Sequence, residues 1–112
     1  MNETAARNPF APTTVAALCH DGPDSGPARK AAAQQHLRWV ESMLAHIALA
    51  GPLYSGDGSR MVGSLYVFKT TSLEQARAWL ESDPYFAAQF WAKIEYRPFL
   101  PAAGELVGGT AW

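Results

Sequence analysis

The chain has a single cysteine, Cys19, among its 112 residues. One thiol excludes an internal disulfide framework and a thiolate metal cluster. Long apolar runs are missing: no stretch approaches the length of a membrane span. Residues 1–12 contain Glu3 and Arg7 but no hydrophobic segment. They do not read as a secretory signal, and a cytoplasmic location is the default expectation. Excess charge is missing too. Nine Lys and Arg against ten Asp and Glu leave a net charge of −1, so neither nucleic acid nor an anionic membrane is expected as a partner. Repeats and low-complexity tracts are absent. Gly108-Gly109 precedes neither a helix nor a lysine, so it is not a phosphate loop.

What is present suits one small folded domain. Hydrophobic residues make up 48% of the chain, enough for a modest core. Residues 1–12, bracketed by Pro9 and Pro12, read as an N-terminal arm, 13–100 as the core and 101–112 as a Gly-rich tail. Val107 and Trp112 in that tail should need cover. Residues 13–19 (TTVAALC) are apolar on both faces, as in a central strand. Residues 20–27 are turn-rich, and Pro27 can open a helix.

The stretch 28–53 is expected to be one long helix stopped by Gly51-Pro52. Ala33, Leu37, Val40, Leu44 and Ile47 recur at helical spacing and should form its buried stripe. A short strand at Leu53-Tyr54 follows. Residues 63–70 (GSLYVFKT) are the best strand in the chain. Ser72 with Gln75 reads as a capping box for a helix buried through Leu73, Ala76, Trp79 and Leu80. Asp83-Pro84 starts a third short helix running to about Phe90. Lys93 to Phe99 alternates like an edge strand with one wet face. The order β-α-β-β-α-β predicts an α+β, ferredoxin-like domain with a four-stranded antiparallel sheet and both helices on one face. The other face is also apolar, and a homodimer through it is expected.

Among chemistry-bearing residues, His36 stands at the shoulder of the helical stripe, where an imidazole is partly buried and can face whatever the helix packs on. A plain core-edge histidine would look the same, and Asp83 could be no more than a helix cap. Tyr85 fits either a cleft or a core. His46 should be solvated. His20, Asp21 and Asp24 fit no known ligand spacing, so no metal site is expected. Cys19 and the serines sit in contexts unrelated to His36, so nothing in the sequence supplies a nucleophile beside that base.

His36-Leu37, residues 50–53 (AGPL), Gly63-Ser64, residues 73–76 (LEQA), residues 83–85 (DPY) and residues 97–99 (RPF) occur in that order. Together they resemble the YciI-like (YCII-related) family of small bacterial proteins over roughly Val15 to Leu100. The resemblance implies a ferredoxin-like domain that dimerises sheet to sheet, as in the dimeric α/β barrels. It also implies a His–Asp pair in a cleft, at His36 and Asp83, with Tyr85, Gly51 and Pro52 near a small-molecule ligand. Many members carry an Arg three residues before the His; here that position is Ala33, and Arg29 lies two helical turns from His36. By analogy the expected activity is that of a lyase or isomerase using the pair for proton transfer, without a cofactor. The alternative is a homodimer that binds a small ligand, or regulates through it, without catalysis.

Overall fold

The structure, a computed structural model, describes residues 10–112. Most of the expected arm therefore lies outside the described residues. The elements run β1 (Thr14–Asp21), α1 (Ser25–Ser42), a short 3-10 turn (Leu44–His46), β2 (Ile47–Tyr54) and β3 (Met61–Phe68). They continue with α2 (Leu73–Glu81), α3 (Pro84–Ala87) and β4 (Trp91–Phe99). The strands form one antiparallel sheet in the order β2-β3-β1-β4. This is the expected ferredoxin-like arrangement, with β1 central and β4 at an edge. Among the described residues no helix is long and apolar enough to cross a membrane.

Paired residues in the register share a face. Val15, Ala17 and Cys19 of β1, with Tyr66 and Phe68 of β3, point towards the helices and pack with Ala76 and Leu80 of α2. Ala16 and Leu18 pair with Val67 and Leu65 on the opposite, helix-free face. There Leu49 and Leu53 of β2 extend the apolar surface. On the same face β4 contributes Lys93, Glu95 and Arg97 in a row, and His20 Nε2 lies 2.9 Å from Glu95 Oε1.

The long helix is corrected. It starts at Ser25 and ends at Ser42, not at Gly51-Pro52. From Ile47 the chain pairs with β3 instead, so Gly51-Pro52 lies inside β2. Ladder bonds to a neighbouring strand outweigh the helix preference of an Ala- and Leu-rich segment. Pro52 is tolerated because β2 is an edge strand. The buried stripe is corrected as well: Leu37 is 58% and Leu44 62% exposed. The face of α1 that meets the sheet is Arg29, Ala32, His36 and Trp39, one residue (about 100°) out of phase with the expected stripe.

Smaller shifts follow from pairing. The first strand continues to Asp21 through an irregularity between His20 and Asp21, so the turn-rich loop is shorter than expected. The third helix stops at Ala87, where Gln89 takes φ 60° and turns the chain into β4. Ser72 Oγ accepts from the Gln75 backbone N–H at 3.0 Å, as a cap should. The tail forms a small hairpin, Ala103–Gly104 with Gly109–Thr110. Val107 and Trp112 stay exposed there, contrary to expectation.

Candidate active site

Asp83 is set by the break between α2 and α3. Its Oδ1 accepts the Tyr85 backbone N–H at 2.8 Å and caps α3. Its side chain is fully buried, and a buried carboxylate needs donors on both oxygens. Tyr66 on β3 donates its hydroxyl to Oδ2 at 2.7 Å. His36 brings Nδ1 to 2.9 Å and 3.0 Å from the two oxygens. The helix cap and the histidine's partner are thus one residue.

With the carboxylate at Nδ1, the neutral ring carries its proton there and the lone pair sits on Nε2. Nε2 has no hydrogen-bond partner among the described residues, and the ring lines a cleft between α1 and the β2–β3 edge. Tyr85 stacks flat on the imidazole, centroids 3.7 Å apart and planes at 4°. Burial, and next the Asp83 charge, push the Tyr66 phenol well above its ordinary value. Tyr66 therefore stays a donor to Asp83. Burial is also the main cause that raises the Tyr85 phenol.

The cleft has an inner lobe of about 260 Å³. Its walls include His36, Leu37 and Val40 from α1, Gly51 and Pro52 from β2, and Tyr66 from β3. Leu37 and Val40, two residues of the apolar stripe read from the sequence, are therefore cleft wall. All five expected site residues meet here: His36, Gly51, Pro52 and Tyr85 line the lobe, and Asp83 stands behind His36.

A second buried group was not foreseen as part of the site. Arg29, only 6% exposed, donates to both Asp21 oxygens, at 2.8 and 3.1 Å. Its Nη2 also donates to the Gly63 carbonyl at 2.7 Å and Ser64 Oγ at 2.9 Å. The guanidinium lies over the rings of Tyr85 and Phe90, 5.4 and 5.1 Å from their centroids. Burial works against its charge, but the Asp21 hydrogen bonds and carboxylate outweigh that and raise its affinity for the proton. The signal was available: Arg29 and His36 are seven residues apart and share a helix face. Reading the helical period through polar residues, as well as through apolar ones, finds it.

Other candidates fall away from the cleft. Cys19 is buried, and burial first, then Asp83 and Asp21, push its thiol up to about 12. It stays protonated and is no nucleophile at neutral pH. His46 stacks on Trp79, centroids 4.7 Å apart. His20 lies on the opposite sheet face. No group of three or more potential metal ligands gathers among the described residues.

Comparison with known proteins agrees with this architecture. The family model of the YCII-related domain matches residues 13–100. No curated protein sequence matches the chain. A similar solved structure is 5-chloro-2-hydroxyhydroquinone dehydrochlorinase from Burkholderia phenoliruptrix, in complex with 2,5-dihydroxybenzoquinone. It shares 23% identity and superposes with a TM-score of 0.71, over 82% of this chain and 96% of that one.

Proposed function

The chain belongs to the YCII-related family, and from that premise we propose that it is a small-molecule lyase or isomerase in which His36 moves the proton and Asp83 orients it. One observation carries the reading: His36 is anchored through Nδ1 on a buried carboxylate while its ring lines a cleft. That arrangement makes Nε2 a base. Nε2 takes a proton from the substrate, and the freed electron pair forms a new double bond. In an elimination a leaving group departs with its own bonding pair; in an isomerisation the proton returns at another atom. Neither route needs a net electron donor or acceptor, so no cofactor enters the proposal.

The similar structure is that of a dehydrochlorinase holding a quinone, which makes hydroxylated and halogenated rings the first substrates to try here. Val40, Pro52 and the Tyr85 ring give such a ring apolar walls. The protein works as a homodimer, packed through the helix-free sheet face with its apolar Leu18, Leu65 and Leu49.

The test is turnover of a panel of hydroxylated and halogenated aromatics and lactones by the wild type and by His36→Ala. The expected result is product release by the wild type and a loss of about 10²- to 10⁴-fold in the variant. Binding without turnover across the panel would replace this reading with a ligand-binding or regulatory dimer.

A further inference from the structure

The cleft does not end at Arg29. Arg29, Met61 and Tyr85 form a waist, and beyond it an outer lobe of about 490 Å³ opens between the start of α1 and the β2–β3 turn. The two lobes differ in chemistry. The inner one has apolar walls around His36. The outer one is lined by Lys30 and Arg60, with Arg29 at its base. Asp24 is the single carboxylate on its wall, and Asp21 is already engaged by Arg29. Cations are thus in excess.

Two further features favour a negative group. Arg29 is almost fully buried, yet its Nη1 meets the Met61 sulfur at 3.6 Å, a weak acceptor. A stronger acceptor in the lobe would displace the thioether at little cost. The lobe is also floored by the first turn of an 18-residue helix whose Asp24 side chain makes no cap bond. The Ser25 and Gly26 backbone N–H groups of that turn add positive potential to the cationic side chains.

We propose that the outer lobe binds a carboxylate arm of the substrate, so that the ligands of this protein are aromatic or quinoid acids rather than neutral rings. The inference rests on the inner lobe holding the ring beside His36. The ring then lies between Tyr66 and Pro52, and its acidic arm passes over Met61 to Arg60 and Lys30. Because those two residues are solvent-exposed, they set which ring enters rather than how its proton moves.

The experiment compares 3-(2,5-dihydroxyphenyl)propanoate with propylhydroquinone, a pair with the same ring and arm that differs by the terminal carboxylate. Calorimetry gives both dissociation constants, and the His36 ring resonances report occupancy of the inner lobe. In the wild type the acid should bind about tenfold tighter, the worth of one charge-assisted hydrogen bond. That ratio should fall towards one in Lys30→Ala/Arg60→Ala, and it should shrink in high salt. A ratio near one in the wild type, or unchanged in the double variant, overturns the inference. If both compounds bind equally and both shift His36, the inner-lobe reading survives alone. If the acid binds through Arg60 without moving His36, the outer lobe stands and the proposed proton chemistry falls. Failure of both compounds to bind overturns the inference, while the proton chemistry is decided by the turnover panel.

Discussion

Asp83 answers to three donors at once: the Tyr85 N–H, the Tyr66 hydroxyl and His36 Nδ1. Its geometry is over-determined, which is what an orienting carboxylate requires. Asp83→Asn separates cap from chemistry. An amide oxygen still accepts the Tyr85 N–H, so α3 keeps its cap. The amide N–H₂ takes the place of Oδ2, facing the Tyr66 hydroxyl and His36 Nδ1, and the negative charge that holds the ring proton on Nδ1 and strengthens Nε2 as a base is lost. Turnover should fall about 10³-fold while circular dichroism and melting cooperativity stay native-like. Retained turnover would show that Nε2 is not the base. His36 itself carries more of the fold than a surface helical histidine would. Removing it leaves Asp83 short of a donor and Tyr85 without its stack, so His36→Ala should cost about 1–3 kcal/mol in chemical denaturation.

At the scale of elements, the turn between β2 and β3 has its own acid switch. Asp57 Oδ1 accepts from Ser55 Oγ at 2.7 Å, and from Ser59 N and Oγ at 3.0 and 2.8 Å. These bonds, Ser55 first, hold its carboxyl down at about 2, against an ordinary 3.8. A depressed carboxylate contributes stability that is present above the unfolded value and lost as pH falls through the folded one. Asp57→Asn should therefore melt lower than wild type at pH 7, and the gap should close between about pH 4 and pH 2. A gap that is constant over that range would rule out the charge as its cause. In the next element, Gly63 lies against β1 so closely that an added Cβ would sit on the Cys19 carbonyl oxygen. Its own carbonyl holds Arg29. Gly63→Ala should cost about 1–3 kcal/mol by overpacking. It should also weaken binding of acids more than of neutral rings, because Arg29 loses its seat. Equal weakening of both would detach Gly63 from the outer lobe.

For the whole molecule, the helix-free face sets the expected assembly. Leu18 and Leu65 form a paired apolar centre there, Leu49 and Leu53 lie on the β2 side, and Lys93, Glu95 and Arg97 run along the β4 rim. A two-fold partner would cover the centre and leave the charges wet. Sedimentation equilibrium at micromolar concentration should give twice the 12.1 kDa chain mass. Leu65→Lys should return it to one chain with the fold intact. A wild-type mass of one chain rejects the dimer.

Local chemistry made much of this protein legible in its residues alone. β-branched and aromatic residues marked 63–70 as a strand, which runs at Met61–Phe68; Ser72 and Asp83 declared two helix starts, and the order of elements specified the ferredoxin-like sheet. These features depend on neighbours one to four positions away, and any chain with the same spacing would show them. The end of α1 was not of that kind. Residues 43–50 have helical propensity, and only the open edge of β3, outside their own sequence, draws them into β2. The phase of α1 was likewise decided in three dimensions. A helix packs whichever face meets partners, and Asp21, Ser64 and Asp83 offered those partners to Arg29 and His36 rather than to the apolar stripe. Distance in sequence hid the rest: Asp83 stands 47 positions from His36 and 17 from Tyr66. Their meeting required the sheet to fold and carry α1 across it.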